Sequence, residues 1–285
     1  MSRLQTLAPA KVNLTLRVLA RRADGYHDLA SLVAFASVGD ALMLEPAPLL
    51  DLQVDGPLRD VTGPEEDNLV LKAARALASS LPRPNVGRFI LTKRLPSGAG
   101  LGGGSSDAAA ALRLLAQLND LPISDPRVVR AANETGADVT VCVDGRARLM
   151  HGTGDELSDP IALPELAAVI VYPGAGTMTG DVFRRCQPGS GRKYAAPEIP
   201  KDRAALLGFL ARESNDLEHA ATSLVPLIGD ARRLLEQTGQ PELIRMSGSG
   251  SAMFAIHSTS AAAAGVAEKI REARPDWWVV ATTLR

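Results

Sequence analysis

The sequence predicts an α+β chain of two domains, with a glycine-rich loop joining a strand to the N-terminus of a helix. Three observations carry that reading. From Leu95 to Asp107 the chain runs Leu-Pro-Ser-Gly-Ala-Gly-Leu-Gly-Gly-Gly-Ser-Ser-Asp. Its glycines free the backbone to enter φ > 0 regions and turn N–H groups towards one anion. On the flanks, Phe89, Leu91 and Thr92 read as a strand ending at Lys93 and Arg94, while Ala108, Ala111, Leu112, Leu115 and Leu118 recur at helical spacing. Ser105, Ser106 and Asp107 are the expected capping oxygens of that helix. Finally, strand-period and helix-period segments alternate over 285 residues, a length that allows two modest domains.

Taken in order, Thr6 to Leu19 alternates Val12, Leu14, Leu16 and Val18 with Lys11, Asn13, Thr15 and Arg17, the pattern of a half-buried strand. Lys11 and Asn13 therefore share one face. Arg21 to Leu29 holds an Asp24-Gly25 turn signal with Tyr26 and His27 just beyond it, an aromatic and an imidazole able to stack on a planar ring and read its hydrogen-bonding edge. Val33 to Pro48 reads as strand, Gly39-Asp40 turn, strand, and Leu52 with Val54 extends the sheet. Asn68 then opens a helix carrying Leu69, Leu71, Ala74 and Leu77, where it suits the N-cap. Arg127 to Asn133 is a short helix closed by Gly136 as a left-handed C-cap, and Asp138 stands at the mouth of the apolar run that follows.

Beyond Asp155-Glu156 and Pro160/Pro164 the composition shifts, so the expected domains are 1–156 and 157–285. Ala167 to Tyr172 is a β-branched run, and a short helix carries Val182 and Phe183. Gln187 to Pro200 reads as a mobile loop. Asn215-Asp216-Leu217-Glu218 starts a helical pair, and Met246 to Ala252 joins two β-rich runs. A helix over Ser260 to Ala273 and a strand over Trp277 to Thr282 complete the chain.

The glycine loop is not a P-loop, because no Lys-Ser or Lys-Thr follows its glycines. Gly98, Gly100 and Gly103 fit G-x-G-x-x-G spacing, but a dinucleotide fold next requires a second strand ending in an acidic residue. Here Leu121-Pro122-Ile123-Ser124-Asp125-Pro126 turns into another helix instead. A flexible linker does not fit Leu101 and the patterned flanks.

The run Pro96 to Ser106 does resemble the ATP-binding loop of the GHMP kinases, the superfamily of galactokinase, homoserine kinase and mevalonate kinase. Ala8-Pro9-Ala10-Lys11-Val12-Asn13-Leu14, Arg22-Ala23-Asp24-Gly25-Tyr26-His27-Asp28-Leu29, Gly136-Ala137-Asp138-Val139 and Gly248-Ser249-Gly250 are similar, in the right order, to further motifs of one branch. That branch phosphorylates a cytidine diphosphate-linked alcohol in the non-mevalonate isoprenoid pathway. Thr140 and Gly180 depart from it, each standing where the family has Pro.

The resemblance implies a GHMP kinase fold with an ATP-binding N-terminal domain and a C-terminal GHMP domain. It implies that Pro96, Ser97, Gly98, Ala99, Gly100, Leu101, Gly102, Gly103, Gly104, Ser105 and Ser106 hold ATP, with Asn68 near the base. Asn13, Tyr26, His27 and Phe183 would meet the substrate, Tyr26 and Phe183 sandwiching the cytosine. Asp138 would be the catalytic base, with Lys11 keeping it ionised and stabilising alkoxide charge. Magnesium is expected with ATP, its ligands unassigned apart from the hydroxyl of Ser106 as a candidate. Homoserine or mevalonate phosphorylation and a non-catalytic nucleotide-binding regulator are the alternatives.

The formal net charge of −1, with both signs interspersed, gives no footprint for nucleic acid or a membrane surface, and points to a small-molecule partner. Absence of a signal-like start or a long apolar span leads to the expectation of a cytoplasmic protein. Cys142 and Cys186 are far apart, as are the four histidines, so the cysteines are read as buried small hydrophobes rather than as metal ligands or a disulfide.

Overall fold

The computed structural model describes residues 3–59, 67–187 and 196–285. In chain order its elements are β1 (Leu4–Asn13), β2 (Arg17–Arg21), β3 (His27–Pro46), β4 (Asp51–Asp55), α1 (Leu69–Ser79), β5 (Gly87–Thr92), α2 (Gly103–Leu118), α3 (Pro126–Thr135), α4 (Ala137–Cys142), β6 (Arg148–Gly152), β7 (Glu156–Leu157), β8 (Leu166–Tyr172) and α5 (Thr179–Arg185). They continue as α6 (Arg203–Arg212), α7 (Glu218–Leu224), α8 (Leu227–Thr238), β9 (Leu243–Met246), β10 (Met253–His257), α9 (Ser260–Ala273) and β11 (Trp278–Leu284).

The chain forms two compact units, and they interleave. The first comprises Met1–Lys11, Val38–Ser97 and Gly102–Gly145; the second comprises Val12–Ser37, Gly98–Leu101 and Arg146–Arg285. The expected segments 1–156 and 157–285 are not this division, because β1 and β3 each give residues to both units. Neither strand shows a break in hydrophobic pattern at its crossing point.

In the first unit β4 runs parallel to β5, and β5 pairs antiparallel with β3 from Ala41↔Thr92 to Pro46↔Gly87. Leu42, Leu44, Phe89 and Leu91 are buried, and α1 and α2 pack on each other, with Leu77, Leu112 and Leu115 buried as well. In the second unit β2 and β3 form a hairpin across the Asp24-Gly25 turn, and β6 pairs with β3. There β11, β8, β10 and β9 lie side by side in antiparallel order, with β11 bridging to β3 at Leu284↔Ala36. Helices α5, α7, α8 and α9 close one core over this sheet with Val169, Val171, Met246, Ala255 and Ile270.

Several local expectations change. The expected Gly39-Asp40 turn is absent, since β3 runs through both residues. A Cβ on Gly39 would stand 2.2 Å from the carbonyl oxygen of Ala8, so the glycine serves a close approach of β1. The expected strand Thr6–Leu19 is broken into β1 and β2 around Leu14–Leu16, and its polar face is not solvated: Lys11, Asn13 and Thr15 are all buried. Gly136 is extended (φ 168°), the joint between α3 and α4 rather than a left-handed cap. Elements α6, β6 and β7 carried no strong periodicity. Residues 188–195 of the expected mobile loop lie outside the described residues, as do 64–66 ahead of α1.

Candidate active site

The first unit brings Lys11 and Asp138 together. Lys11 sits in the interior of β1 with only 4% exposure, and its Nζ donates to Asp138 Oδ1 at 3.0 Å. Asp138 lies in the first turn of α4 with its side chain 46% exposed, so the pair has one buried and one approachable member. A buried ammonium needs such a partner to offset its desolvation. Thr140, where the family has Pro, donates its hydroxyl to Asn133 Oδ1 at 2.6 Å and so ties α4 to α3 by another means.

Lys11 also lies against the end of the glycine loop. A Cβ on Gly102 would meet Lys11 Cε at 3.1 Å and Lys11 Cβ at 3.2 Å. Gly102 is the N-cap of α2, at φ 62°, and no side chain caps the helix. This corrects the expected capping by Ser105, Ser106 and Asp107, all of which lie within the helix, because α2 begins at Gly103. The first-turn N–H groups and the positive end of the helix dipole are thus left for an anion. Gly104 lies beside the start of α1, 3.6 Å from Leu69 Cδ1 by its would-be Cβ, and there Asn68 caps Val70 N at 3.0 Å. Ser106 Oγ is buried with no hydrogen-bond partner.

Beneath this helix start lies a buried cluster that the sequence reading missed. Lys93 Nζ donates to Asp40 Oδ2 at 2.5 Å and to Asp107 Oδ2 at 2.8 Å. Asp40 Oδ1 accepts from the backbone N–H of Arg94 and of Leu95, while Asp107 Oδ1 has no partner. The signal was a Lys and two Asp residues inside or beside apolar runs, read instead as a strand end, a turn and a cap.

Burial pushes the Asp107 carboxyl up to about 8, against the pull of Lys93 and with Asp40 adding to the rise. Burial also works against the charge on Lys93, but Asp107 and Asp40 outweigh it and the net shift is upward. The 2.8 Å contact alone suggests an ion pair. Two carboxylates face one ammonium, and Asp40 holds three donors while Asp107 holds one, so the upward shift falls on Asp107. A carboxyl whose pKa is raised on folding contributes stability that is complete below its unfolded value, 3.8, and lost as pH rises towards 8. Asp107→Asn removes that loss, so the Tm difference from the parent should widen in the variant's favour between pH 4 and pH 8 in a thermal-melt series.

The second unit holds the expected substrate residues. His27 and Phe183 stack, with ring centroids 5.0 Å apart and planes at 28°. Tyr26 stands at the hairpin tip, 66% exposed. Burial, with Arg21 nearby, lowers the pKa of His27, which favours the neutral imidazole that can both donate and accept. Asn13 Nδ2 donates to Ser31 Oγ at 2.8 Å, and its Oδ1 is buried without a partner. Within the glycine loop, Gly100 has φ 76° and runs so close to Ser247 that a Cβ would lie 2.4 Å from that residue's carbonyl oxygen. Ala99 O accepts from Ala252 N at 2.9 Å. Cys142 and Cys186 are free and buried, and burial pushes the Cys142 thiol up to about 12. No helix among the described residues is long and apolar enough to cross a membrane.

Residues 68–146 match the GHMP kinases N terminal domain and residues 195–276 the GHMP kinases C terminal domain. A 4-diphosphocytidyl-2-C-methyl-D-erythritol kinase of Xanthobacter autotrophicus is 51% identical, the match covering 100% of both chains. A crystal structure of 4-(cytidine 5'-diphospho)-2C-methyl-D-erythritol kinase superposes with TM-score 0.80 at 37% identity, covering 99% of each chain. Homoserine kinase from Cytophaga hutchinsonii shares the fold, with TM-score 0.71 at 20% identity over 99% of this chain and 95% of that one.

Proposed function

The chain belongs to the 4-diphosphocytidyl-2-C-methyl-D-erythritol kinases of the GHMP superfamily, and from that premise we propose which of its residues carry out the reaction. The reaction is ATP-dependent phosphorylation of the 2-hydroxyl of 4-diphosphocytidyl-2-C-methyl-D-erythritol, giving the 2-phosphate and ADP in the non-mevalonate isoprenoid pathway. ATP is the phosphate donor.

Phosphoryl transfer needs in-line placement, neutralisation of the moving charge and an acceptor for the hydroxyl proton. Asp138 is the acceptor, and the observation that carries this is the buried Lys11 ammonium fixed 3.0 Å from its half-exposed carboxylate. Lys11 orients the Asp138 carboxylate through this contact and stabilises charge on the alcohol oxygen as the proton leaves. The ATP phosphates are held by the N–H groups of the uncapped first turn of α2 and the glycine loop Pro96–Ser106 leading into it. Asn68, its Oδ1 engaged in capping α1, stands beside this turn and contributes to the nucleotide site. His27 reads the cytosine edge, with Tyr26 and Phe183 as stacking partners and Asn13 as a further substrate contact.

Magnesium fits as a companion of ATP. Ser106 Oγ, buried and without a partner, is a hydroxyl that would hold it, and no group of three or more His, Cys, Asp or Glu side chains suited to a metal occurs among the described residues. Magnesium keeps waters and takes substrate phosphates, and it would supply charge neutralisation at the phosphates. The free cysteines and the need for ATP support a place in the cytoplasm.

A coupled assay of ADP release with the diphosphocytidyl substrate, homoserine and mevalonate tests the assignment, with turnover expected on the first alone. Tyr26→Ala should weaken the cytidine substrate by roughly 1–3 kcal/mol of lost stacking, read as a rise in its KM, with the KM for ATP unchanged. A loss confined to ATP would overturn the cytosine assignment.

A further inference from the structure

The hydroxyl of Ser247, in the loop between β9 and β10, is shared by two segments to which the reaction assigns different ligands. Ser247 is 1% exposed, and its Oγ accepts from the backbone N–H of Asn13 at 3.2 Å and donates to the carbonyl of Gly100 at 2.9 Å. One bond reaches the end of β1, the other the middle of the glycine loop. A hydroxyl that both receives and gives polarises the two bonds together.

The surroundings leave little slack. A Cβ on Gly248 would stand 3.0 Å from Gly100 O and 3.5 Å from the unpartnered Asn13 Oδ1. The loop around Ser247 is pinned by Asn215 Nδ2, which donates to Met246 O and Gly248 O, both at 2.8 Å. Thr177 Oγ1 holds its far side, at 2.9 Å from Ser249 O and 3.0 Å from Gly250 O. A shift of Gly100 is therefore passed on to the Asn13 backbone rather than absorbed between them.

We propose that Ser247 is a positioning residue that couples the two ligand sites, so that filling one tightens the other. This rests on the reading above, which gives Asn13 to the cytidine substrate and Gly98–Leu101 to ATP. Coupling of this kind is reciprocal: each ligand must raise the affinity of the other by the same factor.

The test uses calorimetry with cytidine 5'-diphosphate and a non-hydrolysable ATP analogue with magnesium, each titrated with and without the other. The parent enzyme should show mutual tightening of at least about fivefold. Ser247→Ala should reduce that factor to about one. Thr177→Ala, which loosens the same loop without touching Asn13 or Gly100, should keep it. A parent without coupling, Ser247→Ala with the parent's factor, or an equal loss in Thr177→Ala overturns the proposal. Failure of the cytidine reading has a different signature, a parent that does not bind cytidine 5'-diphosphate at all. In that event affinity for the ATP analogue decides: a loss confined to Ser247→Ala supports the bridge, and an unchanged value overturns it.

Discussion

Asp138→Asn should lower kcat by at least about 100-fold while leaving affinity for ATP nearly unchanged, the size expected for loss of a positioned general base. The substitution is conservative in shape, and an amide carbonyl still accepts from Lys11 Nζ, which donates to Asp138 Oδ1 at 3.0 Å in the parent. The side chain is 46% exposed, so no core packing is lost. What disappears is a group basic enough to take a proton from an alcohol. Steady-state kinetics together with a Kd for the ATP analogue separates the two effects. Near-normal turnover would remove Asp138 from its role, and a large loss of ATP affinity would move it into the nucleotide site.

The second large effect is expected within the glycine loop. Gly100→Ala should destabilise the fold by roughly 1–3 kcal/mol, because φ 76° is strained for a side chain and the new Cβ would fall 2.4 Å from Ser247 O. Relief requires the loop to move away from the Met246–Ala252 segment, so the KM for ATP should rise by about tenfold or more, which is about 1.4 kcal/mol of binding. Gly104→Ala is the contrast. Gly104 is helical, its nearest neighbour would be Leu69 Cδ1 at 3.6 Å, and alanine there should raise stability by about 0.5–1 kcal/mol. Denaturant melts of the two variants, with opposite signs from one short stretch, distinguish backbone demand from simple glycine richness.

Much of the fold was legible because its signals are local. The helix over Ser260 to Ala273, the strand ahead of the glycine loop and the Asp24-Gly25 hairpin all follow from short-range period or turn chemistry. What was not legible depended on partners distant in sequence. Gly39-Asp40 has turn composition, yet close approach of Ala8 and burial of Asp40 against Lys93 keep β3 straight. Lys11 alternates like a solvated residue, and only its pairing with Asp138, 127 residues away, accounts for its burial. Ser105, Ser106 and Asp107 look like caps, but Gly102 starts α2 before them. The motifs named Lys11, Asp138 and the loop; the Asp40–Lys93–Asp107 cluster and the Ser247 bridge needed the structure.

The interleaving of the two units bears on how the chain is made. Residues Val12–Ser37 emerge from the ribosome early, yet they belong to the unit whose β6, β8 and β11 are synthesised only later. During synthesis this stretch waits with those sheet partners still untranslated, while the segments that make up the other unit are already complete in sequence. The pairing of β3 with β11 therefore waits for Leu284 and Arg285.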